Sequence, residues 1–104
     1  MIIRLLLLSV LLGVPAFAAD PPHVLFLIGE PGYGTPETLP KFARDHLEPL
    51  GFKSTFVFPD ERDPNHFPGL EQLKDADVLF LSVRRRALSE AQSGIIKAHL
   101  AAGK

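Results

Sequence analysis

The sequence predicts an α/β domain built on a parallel sheet of three strands, and three observations predict it. Three short runs rich in apolar and β-branched residues lie at His23 to Ile28 (HVLFLI), Phe52 to Phe58 (FKSTFVF) and Ala76 to Ser82 (ADVLFLS). The first and third lack polar alternation, which is the pattern of strands covered on both faces. Segments with a helical apolar period follow the first and third runs, and strand and helix in alternation make parallel sheets with right-handed crossovers.

Before the first strand, Met1 to Arg4 forms a short basic start, Leu5 to Val14 an apolar run, and Ala16-Phe17-Ala18 a small-x-small cleavage site. This is the pattern of an export signal. The apolar run has ten residues and ends at Pro15, whereas a spanning helix needs about 20. The expectation is therefore cleavage after Ala18, release of residues 19–104 as a partial α/β domain, a periplasmic or secreted location, and no stable membrane insertion.

After HVLFLI, the segment Gly29-Glu30-Pro31-Gly32-Tyr33-Gly34 reads as a loop, since three glycines and a proline cannot continue a strand. Leu39, Phe42, Ala43, Leu47 and Leu50 then share a helical face. A start at Thr38 is expected, because it keeps Pro40 within the first turn, where its missing N–H does no harm. Pro49 and Gly51 end this helix. The second strand is β-rich, and PDERDPNHFP after it is a polar connection followed at Leu70 to Asp75 by at most a short helical turn. Beyond the third strand, Ser89 with Gln92 reads as a capping box opening a second helix, with Ile95, Ile96, His99 and Leu100 as its buried stripe and Gly103 as its C-terminal glycine.

A flavodoxin-like strand order, 2-1-3, follows from this pattern, with Val24, Phe26, Ile28, Val78, Phe80 and Leu81 expected in the core. A doubly wound domain normally adds a strand after such a helix, so the sheet is expected to be truncated before its fourth strand. Open edges carry unpaired backbone groups and favour self-association.

Composition narrows the function classes. The formal charge is −1, falling to −2 once Arg4 leaves, with acids and bases interspersed. Nucleic-acid binding would need a basic stripe with aromatic platforms, and the chain offers one short arginine run. Without cysteine there is no disulfide framework and no thiol nucleophile. GEPGYG has neither the spacing of a dinucleotide loop nor that of a nucleoside triphosphate loop, so no cofactor is expected. Asp60, Glu61, Asp63 and His66 match no zinc or calcium spacing, and no metal is expected. His46 and His99 read as partly buried helix residues, and His23 as a satisfied strand-boundary residue.

In the order 2-1-3 the loops after strands one and three flank the switch-point crevice, where open α/β sheets bind ligands. That sets Glu30, Tyr33 and the loop glycines opposite Ser82, Arg84, Arg85 and Arg86. An arginine there offers a planar fork to carboxylate or phosphate, a carboxylate can accept a substrate hydroxyl, and Tyr33 can stack on a sugar ring. The alternative is a solvated basic loop beside a tight glycine turn.

The runs VLFLIGEPGYGTPETLPKFA, FKSTFVF and DPNHFPGLEQLKDADVLFLSVRRRALSEAQSGIIKAHLAAGK together resemble the amino-terminal part of a ThuA-like (trehalose-utilisation-like) domain. The resemblance implies a fold similar to class I glutamine amidotransferases and a link to sugars, with a small polar ligand or sugar as partner. Many relatives carry a histidine in the loop after the first strand, and Gly29 to Gly34 has none. A non-catalytic binding or interaction module using the same crevice is the alternative, and a truncated, non-functional product is a third. The DNA after codon 104 would discriminate between them.

Overall fold

A computed structural model describes residues 20–104; the expected export signal lies outside the described residues. Strands β1 (His23–Gly29), β2 (Lys53–Val57) and β3 (Val78–Val83) form one sheet in the order β2-β1-β3. Both pairings are parallel, with Phe26 level with Phe56 on one side and with Phe80 on the other. The sheet class, direction and order are those expected from the sequence.

Helix α1 (Thr35–Phe42) lies over one face and α2 (Glu90–Ala101) over the other. Alternation along β1 sends Val24, Phe26 and Ile28 towards Ala43, Leu39 and Leu47, and Leu25 and Leu27 towards Phe67, Leu70, Leu73 and the α2 isoleucines. β1 is therefore buried along its whole length. On the α1 face, Phe26 stacks between Phe56 and Phe80, with ring centroids 5.2 and 5.1 Å apart.

The burial expected of β3 is corrected. Val78, Phe80 and Leu81 are 48%, 42% and 58% exposed, while Leu79 and Val83 pack against the core. An unbroken apolar run marks a strand that could be covered on both faces; among the described residues β3 is an edge strand with a neighbour only on its β1 side. Leu50 and Leu100, expected on buried helical faces, are likewise exposed at 73% and 63%, and Phe42 is 42% exposed.

The start of α1 is also corrected, from Thr38 to Thr35. Gly34, at φ 70°, places its carbonyl to accept from Glu37 N and Thr38 N at 3.1 and 3.0 Å, so the first turn forms ahead of Pro40. Pro40 then lies inside the helix, where it cannot donate to the Pro36 carbonyl. Beyond it the winding widens to a π-helix over Ala43–Leu47 and tightens to a 3-10 turn over Glu48–Leu50, closed by Gly51 at φ 90°. Lys41 donates a hydrogen bond to Asp45 one turn on, which lowers the Asp45 carboxyl below its ordinary range.

Only half of the expected capping box forms. Ser89 Oγ accepts from Gln92 N at 3.2 Å, but the Gln92 side chain turns inward. Its Oε1 accepts from Phe67 N at 2.9 Å and its Nε2 donates to Phe67 O at 2.8 Å. A buried loop peptide needs both partners, and the amide supplies both. Gly103, at φ 81°, closes α2 as expected, donating to Leu100 O at 3.0 Å. No helix among the described residues is long and apolar enough to cross a membrane.

Candidate functional site

The parallel register brings the carboxyl ends of β1 and β3 level, Gly29 opposite Val83. The loops that leave them must therefore emerge side by side. β1 passes into a 3-10 turn, Pro31–Tyr33, held by its own side chains. Glu30 Oε1 accepts from Gly32 N at 3.0 Å, and Thr35 Oγ1 donates to Glu30 O at 2.8 Å. The glycine-rich loop is thus internally bonded. Gly29 itself is required by close approach, since a Cβ there would lie 2.9 Å from Phe67 Cζ.

From the other side, Arg84 reaches across to this turn. Its Nε lies 3.8 Å from Glu30 Oε2, its Nη1 donates to Tyr33 Oη at 3.3 Å, and its guanidinium carbon stands 5.8 Å from the centre of the Tyr33 ring. The ion pair alone contributes little, because Arg84 is half exposed and solvent screens it. The three contacts together give the guanidinium a defined position. Tyr33 remains 72% exposed, so one aromatic face is open to a ligand.

Arg85 follows at φ 55°, the left-handed region that is uncommon for a residue with a side chain. This kink turns the chain between Arg84 and Arg86. Glu30, Pro31, Gly32, Arg84, Arg85 and Arg86 line an open cleft of about 320 Å³. Of the residues expected at the site, Glu30, Tyr33, Arg84 and Arg85 come together at or beside this cleft. Ser82 does not join them: it stands within β3, level with Ile28, and is not among the cleft's lining residues. Arg86, expected in the same crevice, lines the cleft as well.

The remaining titratable residues lie elsewhere. His23 is buried, its Nδ1 3.2 Å from the Asp75 carbonyl and its Nε2 2.7 Å from Thr55 Oγ1, at the amino ends of the strands. A carbonyl only accepts, so Nδ1 carries the hydrogen. His46 lies on the surface beside Phe42, with ring centroids 5.4 Å apart. His99 is buried, its Nδ1 without a partner among the described residues, and it borders two apolar hollows of about 310 and 320 Å³ beside α2. Neither hollow includes a residue of the cleft. Among the described residues no group of three or more His, Asp or Glu is placed to hold a metal ion.

Chemically, the cleft offers a carboxylate acceptor, a cluster of guanidinium donors and an open aromatic face. Such a set binds and orients a polar molecule. Searches of family models, curated proteins and solved structures find no match to this chain.

Proposed function

We propose that this chain is an exported, ThuA-like domain that binds a sugar or sugar derivative over Glu30, Tyr33, Arg84 and Arg85. One observation carries the reading: Arg84 contacts Glu30 and Tyr33 together at the switch point of a 2-1-3 parallel sheet. A pyranose has an apolar C–H face and an equatorial rim of hydroxyls. Tyr33 supplies an aromatic face for the first, while the free lone pairs of Glu30 and the remaining N–H groups of Arg84 suit the second. The location is also where doubly wound sheets bind ligands, beyond the carboxyl ends of adjacent strands whose connections leave in opposite directions. The sequence resemblance to a sugar-linked family points the same way.

Binding is the part of the function that this geometry supports. The test is calorimetric titration of the chain with glucose and with trehalose, repeated on Tyr33→Ala and Arg84→Ala. Loss of the Arg84 hydrogen bonds is expected to weaken binding by about 1.5 to 3 kcal/mol, with the unfolding midpoint little changed. Equal affinities in parent and variants would return Arg84 and Tyr33 to the role of a solvated surface pair, and absence of sugar binding would overturn the reading.

A further inference from the structure

We infer that the ligand of this cleft carries an anionic group, a carboxylate or a phosphate, held by Arg85 and Arg86 while Glu30, Arg84 and Tyr33 take the neutral part. This rests on the sugar-binding reading and narrows it to acidic sugar derivatives. The first support is charge. Three arginines line the cleft against a single carboxylate, and that carboxylate is already engaged by Gly32 N and faces Arg84. Among the described residues neither Arg85 nor Arg86 lies within 4.0 Å of a carboxylate, so the cleft retains positive charge when empty.

The second support is the state of Arg86. Among the described residues its Nη1 reaches only the Arg85 carbonyl, at 3.5 Å, and its Nε is buried with no acceptor. A guanidinium N–H left unsatisfied inside a protein is costly, and an oxyanion entering the cleft would supply the missing acceptor by drawing the fork outward. The third is the backbone. Arg85 occupies the left-handed region where a glycine would be free of strain, so the chain holds a long cationic side chain at a position that disfavours side chains. Arg85 lines the cleft together with Arg84 and Arg86.

Four probes separate the possibilities: glucose, glucuronate, glucose 6-phosphate and inorganic phosphate, each titrated at low and at physiological salt. The expected result is that one of the two acidic sugars binds roughly tenfold or more tightly than glucose, with the advantage shrinking as salt rises. Whichever acid wins identifies the anion as carboxylate or phosphate. Arg86→Gln should cut that advantage severalfold and leave glucose affinity unchanged, and Arg85→Gly, which suits the left-handed backbone at 85, should cut the advantage as well. Equal binding of glucose and both acids overturns the anionic inference and leaves the sugar reading standing. Inorganic phosphate binding as tightly as glucose 6-phosphate, with glucose inert, supports the anion site and overturns the sugar reading. Silence from all four probes overturns both.

Discussion

Gln92 carries more of the structure than its polar side chain suggests. It is buried, and its amide satisfies both the N–H and the C=O of Phe67, a loop residue whose ring is fully buried beneath Gly29. Replacing it with leucine keeps the volume but strands two backbone groups, each costing about 1 to 3 kcal/mol when buried without a partner. The expected outcome for Gln92→Leu is a lower urea midpoint by an amount in that range or above. Replacement with glutamate should also destabilise, because the carboxylate cannot donate to Phe67 O. Gly29 is constrained by the same ring: a Cβ at 2.9 Å from Phe67 Cζ cannot be accommodated without moving a fully buried aromatic. Gly29→Ala should therefore lower the unfolding midpoint, by about 1 to 3 kcal/mol for an overpacked site. A variant as stable as the parent would show that Phe67 is free to shift.

At the scale of the element, α2 and β1 make contrasting predictions. Gly94 lies within α2 with nothing near the position of a Cβ. Alanine there removes a glycine penalty without a clash, so Gly94→Ala should raise stability by about 0.5 to 1 kcal/mol. β1 is the opposite case. Phe26 is fully buried and stacked between two phenylalanines, one on each neighbouring strand. Phe26→Ala should cost about 3 to 5 kcal/mol, a large share of what a small domain possesses. Chemical denaturation of both variants measures the two predictions together. A mild loss at Phe26 would mean that Phe56 and Phe80 close over the gap.

Across the whole molecule, the feature that most shapes behaviour in solution is the outer side of β3. Val78, Phe80 and Leu81 are exposed there, Val78 and Leu81 beside Leu100 on α2, and the strand has no neighbour on that side among the described residues. An edge of this kind offers both apolar surface and unpaired backbone groups. The chain of residues 19–104 is expected to self-associate, and Leu81→Lys should shift it towards monomer because a charge on an edge strand opposes pairing. Sedimentation velocity across a concentration series checks both; a parent that stays monomeric throughout would refute the expectation. The cleft lies at the carboxyl end of this same strand. If edge pairing occludes it, dissociation and ligand binding will rise together in Leu81→Lys.

The sequence by itself determined the class, direction and order of the sheet, because those follow from patterns local to each segment. HVLFLI without alternation, the prolines and glycines that break it, and the Ser89 cap are each legible within a few residues. The crossover rule then leaves few topologies. The site was legible in outline for a related reason: once the order is 2-1-3, Glu30, Tyr33, Arg84 and Arg85 must leave adjacent strand ends. What only the tertiary structure decided depended on partners distant in the chain. An apolar run states that a strand can be buried and does not state what covers it, so Phe80 and Leu81 proved exposed while Leu79 and Val83 packed. Gln92 carried a correct capping signal, yet its amide went to Phe67, 25 residues earlier. The meeting of Arg84 with Glu30 and Tyr33 likewise spans about half the chain, and it is fixed by strand register. Local propensity is encoded in neighbouring residues; the competition among distant groups for the same buried space and the same hydrogen bonds is resolved only when the chain folds.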